Sequence, residues 1–547
     1  MAVISESISS ASQHIEGILL LLGVLYLTSN YLTPGVCSVP GPFLAKLSNL
    51  WRFIDVANGH AEATLYKLHQ KYGDYVRVGP QVVSVRDLDA LKVIYGINKG
   101  YRKTHFYHVQ QQLAKGKPTP TLFTTTDEDF HAAIKRPISG AYSMSTLTEF
   151  EPFVDKTMHT LFRKLDDFVS RNEVCDIAVW LQYYAFDVIG ELTFSKPLGF
   201  LEKGTDVDGI IAALEHMLDY SGKIGQMPWL DYLFIKNPLR RLIQGGSTGA
   251  VARFARARLD ERLKDLKPGA KKIDSYAPSR RDFLARFLEA KKEYPEVVTD
   301  NQVFSYTVSN VIAGSDTTAI SLRAILYYTL KSPRVMAKLY EELTTAYRER
   351  RISIPVSWKQ SQEELPYLDA VIKEALRLHP AVGLLLERIV PTGGLQLPNG
   401  GPFLPAGTIV GANPWIIHRH SIFGQEVDSF VPERWLQMDA ESETTFYARR
   451  QQMLRATFTF GAGPRTCIGK NISLLEIYKL VPSLLLTYKV RDAGIDPLPG
   501  TSKIYTPSNA WFLQIELEHP EKNWQTVNAW FVRQKHMDVR LARHDFL

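Results

Sequence analysis

Phe460-Gly461-Ala462-Gly463-Pro464-Arg465-Thr466-Cys467-Ile468-Gly469 decides the fold. Glycines flank its cysteine, and an apolar pattern at helical spacing follows (Ile472, Leu474, Leu475, Ile477, Leu480). Glycine has no Cβ, so the backbone can turn tightly and approach a bulky ligand. A thiol at the start of a helix meets free N–H groups and the positive end of the helix dipole, which favour the thiolate, the form that binds metal. Arg465 is placed to pair with a carboxylate of the same ligand, and Phe460 supplies an aromatic wall. The combination points to a thiolate ligand for haem iron. Cys467 is the metal ligand, and Phe460, Gly463, Arg465 and Gly469 shape the cradle. For Cys467 taken alone, an inert buried thiol in a glycine-rich turn is the alternative.

A second stretch lies upstream. Thr299 and Asp300 are natural N-caps for a helix running to about Leu330, and about 30 residues at 1.5 Å each cross a domain. Its middle is Ala313-Gly314-Ser315-Asp316-Thr317-Thr318. Such residues are poor helix formers, glycine costing about 1 kcal/mol and the others competing for backbone hydrogen bonds. A hydroxyl (Thr317) next to a carboxylate (Asp316) makes a proton relay to solvent; a structural kink is the alternative. Between the two stretches, Tyr367 to His379 is a helix stopped by Pro380, with Glu374 and Arg377 on one face. On its own such a pair is worth under about 1 kcal/mol.

Taken together, these stretches resemble the cytochrome P450 family. Phe460 to Gly469 matches F-x-x-G-x-R-x-C-x-G at every specified position, and Ala313 to Thr318 is similar to the oxygen-activation motif A/G-G-x-D/E-T-T/S. Glu374-x-x-Arg377 and Arg434, within Phe430 to Trp435, occur in the family's order. The resemblance implies a mainly α (α+β) P450 fold with a smaller β-rich lobe, and heme b ligated by the Cys467 thiolate. It implies catalytic roles for Asp316 and Thr317 in delivering protons to bound dioxygen, a propionate contact for Arg388, and a structural Glu374–Arg377–Arg434 network. Many members carry W-x-x-x-R where this chain has His131 and Lys135. His131 remains a possible hydrogen-bond donor, and Lys135 or Arg136 a source of charge; a solvated basic helix face is the alternative. The texture is closest to fungal secondary-metabolism enzymes, including the pisatin-demethylase-like group. The implied reaction is monooxygenation of a small apolar or aromatic substrate. It uses O2 and electrons from an NADPH-cytochrome P450 reductase, with cytochrome b5 as a further donor, because the chain has no G-x-G-x-x-G after a strand. Arg449, Arg450, Arg455 and Lys470 are candidates for the docking face, against plain solubility charge. A P450-like isomerase or dehydratase and a non-enzymatic membrane haem-binding protein are the rivals; the intact Asp316–Thr317 pair argues against both.

Composition sets the remaining bounds. With 45% hydrophobic and 22% charged residues, the 547-residue chain is of ordinary globular type. Three cysteines, Cys37, Cys175 and Cys467, are too few and too scattered for a disulfide framework. A net charge of +7 suits an anionic membrane surface or an acidic partner, while no basic, aromatic-interleaved repeat points to nucleic acid. Gly17 to Leu27 is apolar, at the short end of the about 20 residues a span requires, and no Lys or Arg precedes Lys46, so the basic region of a signal peptide is missing. The resemblance implies a single-pass endoplasmic reticulum anchor over 1–33 and a cytosolic catalytic domain over 34–547. Within that domain we expect a helix Ala61 to Tyr72, strands Tyr75 to Val78 and Val82 to Val85, and a loop Thr104 to Thr126, which the resemblance implies covers the cavity. Further loops are expected around Lys267 to Lys272 and Ala277 to Ser279. Phe106, Tyr107, Leu384, Leu385 and Trp511 are candidate cavity residues, with Tyr505 to Trp511 as the last cavity-facing turn. His418 is expected to serve packing or hydrogen bonding. The tail from Asn528 matches no motif.

Overall fold

Ile177–Phe194 is largely apolar around its circumference, which suits a helix buried on most sides. Asp176 caps it by accepting from the Ala178 N–H. It becomes the centre of the large helical core, packed on the long helix that carries the polar notch and on Glu151–Arg171. The structure, a computed structural model, describes residues 2–114, 117–239, 249–265, 282–491 and 524–544. The helices that matter for the site are α1 (Ala2–Tyr31), α2 (Glu128–Lys135), α3 (Ile177–Phe194), α4 (Asp300–Gly314), α5 (Asp316–Leu330), α6 (Pro366–Leu378) and α7 (Lys470–Thr487).

The single helix expected from Thr299 to Leu330 is two helices that meet at Ser315. The Thr299 hydroxyl caps α4 by accepting from the Gln302 N–H. At the junction Ser315 Oγ donates to Val311 O (2.9 Å) and Thr317 Oγ1 to Ala313 O (2.8 Å), hydroxyl bonds that bend helices. Gly314 permits the close α3–α4 approach: a Cβ there would lie 2.9 Å from Ile189. In α7, Pro482 lacks the N–H that would bond Tyr478 O; the Ser361 hydroxyl donates to that carbonyl instead, at 2.5 Å.

The smaller lobe holds a five-stranded sheet of β1 (Tyr75–Gly79), β2 (Val82–Val85), β3 (Arg102–Lys103), β4 (Arg388–Ile389) and β5 (Ile409–Gly411), in the order β1-β2-β5-β4-β3. β2 pairs antiparallel with β1 and parallel with β5. In the β3–β4 register Lys103 stands opposite Arg388. The expected helix Ala61–Tyr72 is present with those bounds.

Two expectations need correction. Thr104 to Thr126 is not a plain loop. Thr104 caps a 3-10 helix, His105–Gln110, whose Phe106 and Tyr107 are buried, and strands Gln112–Ala114 and Lys117–Thr119 follow. The tail from Asn528, which matches no motif, forms strands: Thr526–Asn528 pairs with Val532–Gln534, and Asp538–Arg543 pairs with Tyr488–Arg491 and with Cys175–Asp176. α1 forms over the segment expected to be an anchor, but among the described residues no helix is long and apolar enough to cross a membrane. Ser, Gln, His and Glu residues fill its first half, so the apolar part is confined to its second. The loops expected around Lys267 to Lys272 and Ala277 to Ser279, and the turn Tyr505 to Trp511, lie outside the described residues.

The structure brings Glu374, Arg377 and Arg434 together in full burial. Arg377 donates through Nε and Nη2 to the Glu374 carboxylate, both at 2.8 Å, and Arg434 Nε at 2.8 Å. Trp435 Nε1 (2.9 Å) and the Val431 N–H (3.1 Å) also donate to it. Removing one partner of such a network leaves the others charged and dry. Glu374→Ala is therefore expected to destabilise the protein by about 3–5 kcal/mol in urea unfolding; a loss below about 1 kcal/mol would show that the network is dispensable.

Candidate active site

The Cys467 loop is held by its own backbone. The Cys467 N–H donates to Phe460 O at 2.9 Å, and Thr466 Oγ1 to Gly463 O at 2.8 Å. Gly463 has φ +67°, and a Cβ on it would lie 1.8 Å from Tyr95 O, so no other residue fits without moving that backbone. The thiol sits deep between elements yet opens to a cleft. Burial pushes it up from the ordinary thiol range, while the Gly469 and Lys470 N–H groups and the charges of Lys135 and Lys470 pull the other way. The N–H groups at the helix start favour the thiolate as expected, and burial outweighs them. A coordinated metal ion deprotonates a thiol outright, so burial does not oppose ligation.

Behind the loop stands His418. It is wholly buried; its Nδ1–H donates to Arg377 O (2.9 Å), and its Nε2 accepts from the Phe458 N–H (2.7 Å). Both nitrogens are engaged in the neutral form, and burial pushes the imidazole down to about 3. Its role is to connect the Glu374 network to the root of the Cys467 loop, as expected of a hydrogen-bonding residue. Phe458 meets Tyr95 edge-on at 4.9 Å, and Tyr95 donates to Leu386 O (2.6 Å) while accepting from the Ala412 N–H (2.9 Å).

The notch lies on helices joined to the same frame. Thr318 and Ser473 hydroxyls hydrogen-bond at 2.8 Å, tying α5 to α7 just after Cys467. Ala313 is exposed and Thr317 half-buried, although they sit on the central helices. The structure does not put Asp316 and Thr317 on one face. Successive helical side chains diverge by about 100°, and Asp316 is buried toward α3, where its Oδ1 accepts from Gln182 Nε2 at 2.8 Å. Desolvation raises its pKa above the usual carboxylate value.

A group of cations gathers beside the loop. Lys103 and Arg388 are cross-strand neighbours, a like-charged pairing that is destabilising by itself. Lys103 is buried over the rings of Tyr107 (4.1 Å) and Phe123 (4.0 Å) and donates to Phe123 O (2.6 Å). Its pKa is far below the ordinary lysine value, through burial first and then Arg388 and Arg465. Arg388 donates to Glu387 O at 2.9 Å and lies 5.0 Å from the Tyr95 ring. Lys135 Nζ donates to Pro464 O at 2.7 Å. His131 is buried and pushed down to about 3, by desolvation and then by Arg465, Lys135, Lys103 and Arg388; it is no solvated surface residue. Arg465 grips Glu128, with Nε at 2.9 Å and Nη2 at 2.8 Å from its carboxylate. The nearby Glu387 is already taken by Arg52 and by Thr104 (2.7 Å).

These residues fit a haem. The crowded cations suit its carboxylate edge, the open thiol suits its iron, and the exposed surface of Ala313 suits a flat ring. Among the described residues no group of three His, Cys, Asp or Glu side chains could hold a metal ion by itself.

Above the notch, Ile320 joins an apolar cluster with Phe106, Tyr107, Leu384, Ala381, Leu218 and Trp530. Phe106 and Trp530 rings are 5.1 Å apart. Leu385, expected to face the cavity, packs with Leu65, Val76, Val78 and Val82. Trp511 lies outside the described residues. The expected docking charges Arg449 and Arg450 are held within the fold: Arg449 donates to Glu441 (2.7 and 2.8 Å) and to Leu436 O (2.8 Å), and Arg450 to Asp369 (3.3 Å). Sequence reasoning missed Lys103, Glu128, Gln182 and Trp530. Only Trp530, in an apolar Ala529-Trp530-Phe531 run, carried a local signal.

Residues 40–513 match the family model described as cytochrome P450. A protein of Aspergillus terreus named cytochrome P450 monooxygenase is 43% identical, over 90% of this chain and 98% of its own length. Another, cytochrome P450 monooxygenase cicH of Emericella nidulans, is 40% identical over 92% of this chain and 93% of its own. A crystal structure of a cytochrome P450 superposes with a TM-score of 0.69 at 17% identity, covering 92% of this chain and 98% of that one. Cys467→Ala is expected to abolish the strongly red-shifted Soret band of the reduced, carbon monoxide-treated holoprotein; a retained band would place the iron ligand elsewhere.

Proposed function

We propose that this chain, which belongs to the cytochrome P450 family and is a cytochrome P450 monooxygenase, oxidises a small apolar or aromatic compound in fungal secondary metabolism. The family and fold imply a haem ligated by a cysteine thiolate, and enzymes of this family use a small-molecule substrate, O2 and a redox partner. The observation that carries the reading is the open Cys467 thiol beside the Lys103, Lys135, Arg388 and Arg465 cations, on a frame shared with the notch.

Bound there, haem supplies the reductive activation of dioxygen. The chain supplies the rest. Phe106, Tyr107, Leu384 and Trp530 offer an apolar surface that orients a substrate and excludes water. The Thr317 hydroxyl, once it releases Ala313 O, presents a proton on the cleft side. Asp316, turned toward α3, is the acid we assign to the proton supply of the notch. Electrons come from an NADPH-cytochrome P450 reductase, a separate protein.

We place the enzyme at the endoplasmic reticulum membrane. Support comes from exposed apolar side chains Ile18–Leu22, Val24 and Leu25 of α1, and from Trp229, Leu233 and Ile235. Burying such chains in an interface is favourable by about 25 cal/mol per Å².

Thr317→Ala is expected to divert most NADPH consumption into peroxide when the enzyme is reconstituted with the reductase and substrate. Unchanged coupling would remove Thr317 from the proton path. Deleting residues 1–33 is expected to move most of the protein from the membrane pellet to the supernatant; a distribution identical to the full chain would assign attachment to other surfaces.

A further inference from the structure

Asp316 is held by a partner whose orientation chemistry fixes. Arg323 donates through Nε and Nη2 to Ala178 O, at 2.9 and 2.7 Å, and through Nη2 to Gln182 Oε1, at 2.9 Å. A guanidinium has no acceptor, so the Gln182 amide must turn its oxygen to Arg323 and its NH2 to Asp316. That NH2 donates to Asp316 Oδ1 at 2.8 Å. A proton on Oδ1 would face a second donor. The other oxygen, Oδ2, is buried and has no hydrogen-bond partner among the described residues.

We propose that Gln182, oriented by Arg323, is a positioning residue that confines the acid proton of Asp316 to Oδ2. The inference deepens the proton-relay reading of Asp316 and rests on it. Gln182 is inside α3 and belongs to no haem-binding motif, and it acts through Asp316 alone. The arrangement makes Asp316 a one-sided acid. Oδ1 is anchored in either protonation state, since an NH2 donates equally to a carboxylate or to the carbonyl oxygen of a carboxyl. Oδ2 is left to gain and lose the proton without the side chain moving. The other charges that face Asp316 are Arg323 on its own helix, Glu215 on Ile210–Ile224 and Arg533 on Val532–Gln534. Arg533 itself is paired with Asp219 at 2.6 Å.

The test uses the full-length, haem-loaded protein and does not depend on turnover. The infrared carboxyl band of protonated Asp316, isolated by subtracting the Asp316→Asn spectrum, is titrated with pH in wild type and in the near-isosteric Gln182→Met. The Gln182 N–H favours the carboxylate, so its loss is expected to move the midpoint to higher pH and to shift the band through the lost hydrogen bond. Gln182→Glu keeps an acceptor for Arg323 and puts a negative group against Asp316. It is expected to move the midpoint further the same way, and it decides alone if Gln182→Met does not fold. An unchanged midpoint overturns the proposal. The pH profile of peroxide release is recorded in parallel. A moved midpoint with a moved profile supports both positioning and relay; a moved midpoint with a fixed profile supports the positioning and overturns the relay reading of Asp316.

Discussion

A single buried carboxylate, Glu374, sets the geometry on which the site depends. It accepts from Arg377, Arg434, Trp435 and the Val431 backbone. It thereby fixes α6 against the irregular segment that leads toward Arg434. Arg377 extends the connection through its own carbonyl to His418, whose other nitrogen holds Phe458. The Cys467 loop starts two residues later. Buried ion pairs contribute little net stability when compared with apolar packing. Their use here is geometric: with each nitrogen and oxygen assigned a partner, few alternative packings keep every charge satisfied.

The neighbouring cations follow the opposite logic. Burial first, and then the neighbouring arginines, lower the tendency of Lys103, His131 and Lys135 to carry charge. Glu128 offsets part of this at Arg465. The frame around Glu374 is complete by itself, whereas this group is electrostatically short of negative charge. One cluster makes the site rigid; the other makes it selective for an anionic edge.

What the sequence revealed follows the range of the physics involved. Gly463, the polar notch and the paired strands near Tyr75 were legible because turns, helix interruptions and alternation are written in neighbouring residues. Glu374, Arg377 and Arg434 were legible only through the resemblance, since nothing local says that a Glu-x-x-Arg pair is buried. Lys103 was invisible, its meaning arising from a strand register that places it opposite a residue far along the chain. The direction of Asp316 was hidden for a similar reason: the helix fixes its angle from Thr317, but only the packing of α3 says what lies there. The tail from Asn528 carried no motif because its strands complete sheets begun elsewhere. The expected anchor shows the reverse error, in which a short apolar run was extended into a span that the composition of α1 does not sustain.

The cross-strand lysine and arginine also bear on the stability of the fold. A group that relieves their repulsion binds the folded chain and not the unfolded one, so its binding energy adds directly to folding energy. Haem held there would therefore contribute to the stability of the fold as well as to its chemistry.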